Sequence, residues 1–165
     1  MPPKGNHGQV TRGKGPVSGR LAGIDYGTVR IGIAITDPEQ RIASPMTNYT
    51  RRGEKADAEY FRKLVAEERI AGIVIGLPVH LDGRESEKSG EARKFGQWLG
   101  QATGLPIVFF DERFTSVEAE QALMGAEMTK KQRKARLDKL AAQILLTAYL
   151  EAGKPASCQP KGLNE

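Results

Sequence analysis

The chain of 165 residues has a single cysteine, Cys158, so no disulfide can form within it, and a zinc site built from paired thiolates is excluded. That fits a reducing compartment. Nor is there an apolar run near the roughly 20 residues that a membrane-crossing helix needs. The first twenty residues have no continuous apolar stretch of the secretory kind. They also have no acids, as a transit peptide would, but their Gly and Pro spacing breaks the amphipathic helix such a peptide needs. The cytoplasm is therefore expected, with no membrane partner. A hydrophobic fraction of 39% and a charged fraction of 27% exclude wholesale disorder and fit one ordinary folded domain.

Positive charge is present but unevenly placed. Lys4, Arg12, Lys14 and Arg20 carry four of the five net positive charges, which leaves residues 21–165 with one. The basic end reads as a disordered arm over 1–20 that touches phosphate without sequence preference, or simply as a solubilising tail. The stretch 153–165 reads as a second disordered tail. Between them, 21–152 forms one unit without repeats or linkers.

Arg20–Asp25 and Ile31–Thr36 are short apolar runs separated by the turn-prone Tyr26-Gly27-Thr28, the pattern of a hairpin. Ile42–Tyr49 predicts a third strand, with Pro45 at an edge or a bulge. Helical spacing follows over Glu54–Glu68, with Phe61, Leu64 and Val65 on one face. Ile73-Val74-Ile75 is a β-branched strand closed by Gly76-Leu77-Pro78. A second helix carries Ala92, Phe95, Leu99 and Ala102 and stops at Gly104 and Pro106. Ile107–Phe110 is the fifth strand. Thr115-Ser116-Val117-Glu118 and Thr129-Lys130-Lys131-Gln132 each have the form of a capping box, so two helices should end the domain, the last near Ala152. The fold class is therefore α/β: a five-stranded mixed sheet, three antiparallel strands then parallel ones, with helices on both faces.

Three acidic positions stand out in this frame. Asp25 ends a buried strand at its carboxyl end, where open α/β sheets place ligands, and Gly27 leaves the nearby backbone open to a phosphate. Asp111 and Glu112 end another buried strand. Successive residues face opposite ways, so only one of these two can readily share a site with Asp25. Glu112 is favoured, with Asp111 as its partner or substitute. Asp138 lies inside the last helix on the face of Ala141, Ala142 and Leu145, and two alanines would let that helix approach the sheet. Each has an ordinary reading as well: turn residue, helix-start charge, or partner of Lys134. Clustered carboxylates repel one another and imply a hard cation held by oxygen, Mg²⁺ or Mn²⁺. Two such ions about 3.5–4 Å apart activate water and stabilise the leaving oxygen of a phosphodiester.

Gly23-Ile24-Asp25-Tyr26-Gly27-Thr28-Val29-Arg30-Ile31-Gly32-Ile33-Ala34, Gly76-Leu77-Pro78 with Leu81-Asp82-Gly83, Asp111-Glu112-Arg113-Phe114-Thr115-Ser116 and Arg136-Leu137-Asp138-Lys139-Leu140-Ala141-Ala142 resemble the bacterial YqgF family over about 20–152. These are nucleases of RNase H-like fold, assigned to Holliday-junction resolution and to maturation of the pre-16S rRNA 5′ end. The resemblance implies that fold, metal-dependent cleavage of pre-rRNA or branched DNA, and a site of Asp25, Glu112 and Asp138, with Asp111 as a further metal ligand. Gly27, Thr28, Arg30 and Arg113 would hold phosphate, though either arginine would serve equally in a structural ion pair. His80 receives no role. Classical RuvC-type resolvases carry a Glu where this chain has Ile75-Gly76-Leu77-Pro78, so here that acid must come from Asp111-Glu112. A homodimer is left open, since apolar patches are a property of the surface.

Two other classes are weighed beside this one. Asp25-Tyr26-Gly27-Thr28 also resembles the phosphate loop of actin-like and sugar kinases, but those enclose ATP between two copies of the fold, and this chain has one. Saturable ATP binding without nuclease activity would favour that reading. A non-catalytic RNA-binding module in ribosome assembly is the third, and loss of one acid would have pointed to it.

Overall fold

A computed structural model describes residues 17–78, 86–112 and 128–158, without the side chains of Lys134, Ala135, Leu137, Asp138 and Lys139. Its elements are β1 (Arg20–Asp25), β2 (Arg30–Thr36), β3 (Ala43–Thr50), α1 (Glu54–Glu68), β4 (Ile70–Leu77), α2 (Glu87–Thr103), β5 (Ile107–Asp111) and α3 (Lys130–Glu151). The strands form one sheet in the order β3-β2-β1-β4-β5. The first three pair antiparallel, whereas β4 lies parallel to β1 and β5 parallel to β4. Helical crossovers before β4 and β5 require that switch. The result is the five-stranded mixed sheet expected from the order of elements.

Side-chain alternation divides the core between the two faces. Ala22, Ile24, Ile33, Ile73 and Ile75 meet Phe61 and Leu64 of α1 and Phe95 and Leu99 of α2. Leu21, Ala34, Val74 and Phe110 point the other way, onto Ala142, Leu145, Leu146 and Tyr149 of α3. The central strands are buried on both faces, which is why they read as continuous apolar runs. Small residues bring α3 close to the sheet. A Cβ added at Gly23 would stand 2.8 Å from the Leu146 Cβ and 3.1 Å from the Ala142 carbonyl.

Caps fix the helix ends where the sequence places them. The Thr129 hydroxyl accepts from the Gln132 N–H, and the Gln132 side chain accepts from the Thr129 N–H, closing the capping box of α3. Gly104, at φ 72°, ends α2 in the left-handed conformation. Pro45 stands both at an edge and at a bulge: β3 is an outer strand, and its register with β2 shifts between Ile33 and Ala34. The capping box at Thr115 lies outside the described residues, as do His80 and Asp82-Gly83.

Three features differ from or add to the sequence reading. β4 begins at Ile70, three residues before its β-branched core, because Arg69 ends α1 at φ 53° and the chain enters the sheet at once. Beyond α3 the chain returns to the edge of β5 in the stretch read as a disordered tail. There the Cys158 N–H donates to the Phe109 carbonyl at 2.7 Å, and the Phe109 N–H to the Ser157 hydroxyl at 3.0 Å. Finally, Asp57 of α1 is wholly buried, with the Tyr49 hydroxyl donating to it at 2.7 Å and the Arg52 N–H at 2.9 Å.

Candidate functional site

The parity of the strands decides which acids share a face. Asp25 continues the row of Leu21 and Gly23, which lies under α3. Its Cβ is 3.4 Å from the position a Cβ would take at Gly32, and the Ala142 Cβ is 3.5 Å from that same point. Glu112 follows Phe110 and also falls on the α3 side. Asp111, 4% exposed, lies in the row of Ile107 and Phe109 on the opposite face.

Gly76 explains how acids from separated strands come together. β4 lies between β1 and β5, and Gly76 pairs with Phe110, one residue beyond the Ile24–Ile75 pair. A Cβ at Gly76 would run into the Glu112 Oε1, with the Glu112 Cγ and Leu145 Cδ1 each 3.1 Å away. The missing side chain leaves a gap in the central strand, and the Glu112 carboxylate folds over it toward β1.

Asp25 and Glu112 line one cavity of about 290 Å³, together with Tyr26, Gly27, Thr28, Pro78, Lys88, Glu91 and Ala92. Burial pushes the Glu112 carboxyl up to about 7, and the negative charges of Asp25 and Asp111 add to that, against a smaller opposing pull from Lys88. A carboxyl held near neutrality among other acids is a group strained by like charge. A hard cation would relieve that strain, and the donors present are all oxygen. Three carboxylates, Asp25, Glu91 and Glu112, line the cavity; among the described residues no group of three or more potential ligands is close enough together to hold one ion.

Of the residues singled out in the sequence, Asp25, Gly27, Thr28 and Glu112 thus meet at one cavity. Gly27 is required by the turn itself, because a Cβ there would strike the Arg30 carbonyl oxygen. Arg30 is exposed and is not among the described residues lining the cavity. The backbone of Asp138 lies in α3, one turn before Ala142, but its side chain is outside the described residues, and so is Arg113. Sequence reasoning missed Tyr26, Lys88 and Glu91. Lys88, Glu91, Ala92 and Phe95 recur at helical spacing, so one face of α2 was readable as a continuous surface, half apolar and half charged.

Residues 19–152 match the family model described as RuvX: Holliday junction resolvase. A protein of Rhodopirellula baltica named "Putative pre-16S rRNA nuclease" is 52% identical over 137 residues, 83% of this chain and 79% of that one. A protein of the same name from Koribacter versatilis is 39% identical over 135 residues, 82% of this chain and 88% of that one. Among solved structures, the Thermus thermophilus RuvC in complex with a Holliday junction substrate has a TM-score of 0.49 at 14% identity, covering 85% of this chain and 99% of that one.

Proposed function

Since the chain belongs to the family described as RuvX Holliday junction resolvases, we propose that it is a divalent-metal-dependent nuclease that hydrolyses phosphodiester bonds at the 5′ end of pre-16S rRNA. The observation that carries the reading is the Glu112 carboxylate seated over the side-chain-free Gly76, in the cavity that Asp25 also lines. The names of its relatives supply the substrate.

In this reading Asp25 and Glu112 hold Mg²⁺ or Mn²⁺, with Asp138 as a third ligand from α3. The bound ion supplies activation of water and stabilisation of the leaving oxygen. The chain's own groups do the rest. Lys88 brings positive charge to the phosphate, and the Thr28 hydroxyl and the backbone at Gly27 orient it. The α3 face, pressed close at Gly23, keeps the Glu112 carboxylate away from bulk water. Asp111, on the opposite face, adds negative charge without sharing the cavity and acts on the site through Glu112. No helix among the described residues is long and apolar enough to cross a membrane, and we place the enzyme in the cytoplasm, with ribosome maturation.

The family's description favours a second substrate, branched DNA. The test is cleavage of a precursor 16S rRNA 5′ fragment beside a four-way DNA junction, each with Mn²⁺, with Mg²⁺ and with EDTA. Metal-dependent trimming of the RNA with the junction left intact is expected. Resolution of the junction alone would transfer the site to DNA. Binding of the RNA with no cleavage under any metal would leave only the non-catalytic module.

A further inference from the structure

A second cavity, also of about 290 Å³, adjoins the acid site and shares Tyr26 and Glu91 with it. Its walls are aromatic. Tyr26 packs against Phe95 with ring centroids 5.1 Å apart, and Phe95 against Trp98 at 5.6 Å, so the three rings pack in succession from Tyr26, which also lines the acid site. Phe95 is buried and anchors the series, while Tyr26 and Trp98 are partly open to solvent.

The polar groups of this cavity are fixed rather than loose. The Arg51 guanidinium lies 5.7 Å from the Tyr26 ring centroid and 5.5 Å from that of Phe95. Its Nε donates to the fully buried Asp57 at 3.3 Å, which ties it to α1. The Trp98 indole N–H donates to Glu54 at 3.1 Å, and that contact fixes the plane of the ring. Lys94 and Glu91 complete the rim. Planar rings, a guanidinium plane and carboxylate acceptors are the groups that receive an unstacked base, by stacking and by accepting from its amino edge.

We propose that this cavity takes the base of a nucleotide flanking the one whose phosphate sits at Asp25 and Glu112, so that the enzyme binds its substrate as a splayed single strand. The proposal rests on the nuclease reading for the position of that phosphate. The continuity of the two cavities through Tyr26 sets the spacing at a neighbouring nucleotide. Arg51, held by Asp57, presents its cation at the mouth, where the connecting backbone would pass.

Trp98 is the only tryptophan in the chain, so the indole fluorescence comes from the wall of this cavity, and the abasic position identifies which base reaches it. The test uses the full-length protein in EDTA and single-stranded RNA octamers in which one abasic position is moved along the strand. Intact octamers should quench Trp98 saturably. One abasic position should weaken binding roughly ten- to a hundredfold, the worth of one base stacked on an aromatic side chain, and relieve the quench. A Trp98→Leu variant, followed by anisotropy of labelled RNA, should weaken binding of the intact octamer and leave the octamer abasic at that position unaffected, a non-additive pair. If Trp98→Leu does not fold, the abasic scan on the wild-type chain stands alone. A flat scan, or equal loss on both octamers in the variant, overturns the proposal. Cleavage of the same octamers with Mn²⁺ separates the two readings. Cleavage with a flat scan removes the base cavity and keeps the nuclease, whereas a position-specific quench without cleavage keeps the cavity and removes the nuclease.

Discussion

Replacing Glu112 with Gln should make the metal-free protein more stable above neutral pH while removing its activity. The carboxyl is raised from 4.5 to about 7 by burial and by the charges of Asp25 and Asp111. Because the folded-state value is the higher one, the folded protein holds this proton more tightly than the unfolded chain. The stability this confers is fully present below about 4.5 and is lost as pH rises through 7. At about 1.4 kcal/mol per pH unit, the loss amounts to about 3 kcal/mol at most. Gln keeps the volume and cannot ionise, so the variant does not suffer that loss. At roughly 2–4 °C per kcal/mol for a chain of this size, its melting temperature in EDTA at pH 8 should exceed that of the wild type by roughly 5–10 °C. Below pH 5 the two should converge. Saturating Mn²⁺ should reverse the order, since the wild type binds the ion and the variant binds it weakly. Thermal melts from pH 4.5 to 8.5, with and without Mn²⁺, read all of this. A difference that stays constant across pH 5–8 would refute the argument that Glu112 is a strained, partly protonated acid.

Gly76→Ala should push the Glu112 carboxylate off its seat, since the new methyl meets Glu112 and Leu145 together. Roughly 1–3 kcal/mol of stability and about a hundredfold of cleavage rate should go with it, and unimpaired cleavage would show that Glu112 need not lie over β4. Asp57→Ala leaves the Tyr49 hydroxyl and the Arg52 N–H without their acceptor, and should cost about 3 kcal/mol in urea unfolding. Burial pushes the Asp57 carboxyl up, but hydrogen bonds from Arg52, Tyr49 and Arg51 outweigh it and hold the group below its usual 3.8. Its contribution is therefore present above that value and fades as pH falls below it, so the wild type should lose its advantage over Asp57→Ala in acid. An advantage unchanged down to pH 2 would mean that Asp57 stabilises by packing alone.

Much of this fold was legible because its signals are local. The capping box at Thr129, the stop at Gly104 and the apolar runs of β1 and β2 each depend on a few neighbouring residues. Strand parity also carried the choice between Asp111 and Glu112 as far as geometry, for one of them had to face away from Asp25. The significance of Gly76 was not legible. A glycine near a strand end reads as a stop signal, and only the sheet order β1-β4-β5 turns it into a gap between two acids. Asp57 was hidden for a different reason. It precedes Phe61 by one helical turn on the buried stripe of α1, but its partners Tyr49 and Arg51 come from β3 and the loop after it. The cavity residues Tyr26, Lys88 and Glu91 likewise meet only through the packing of α2 against the end of β1. Tertiary proximity of this kind leaves no periodic trace in the chain.

The central claim is that Asp25 and Glu112 act as one metal-dependent site, and its most direct measure is cleavage of a precursor rRNA 5′ fragment by wild type, Asp25→Asn and Glu112→Gln, compared at matched thermal stability with Mn²⁺ titrated. Each single change and the double change should abolish cleavage to the same extent, because either one dismantles the site. Cleavage by Asp25→Asn at the wild-type rate, from a protein that melts like the wild type, would contradict it.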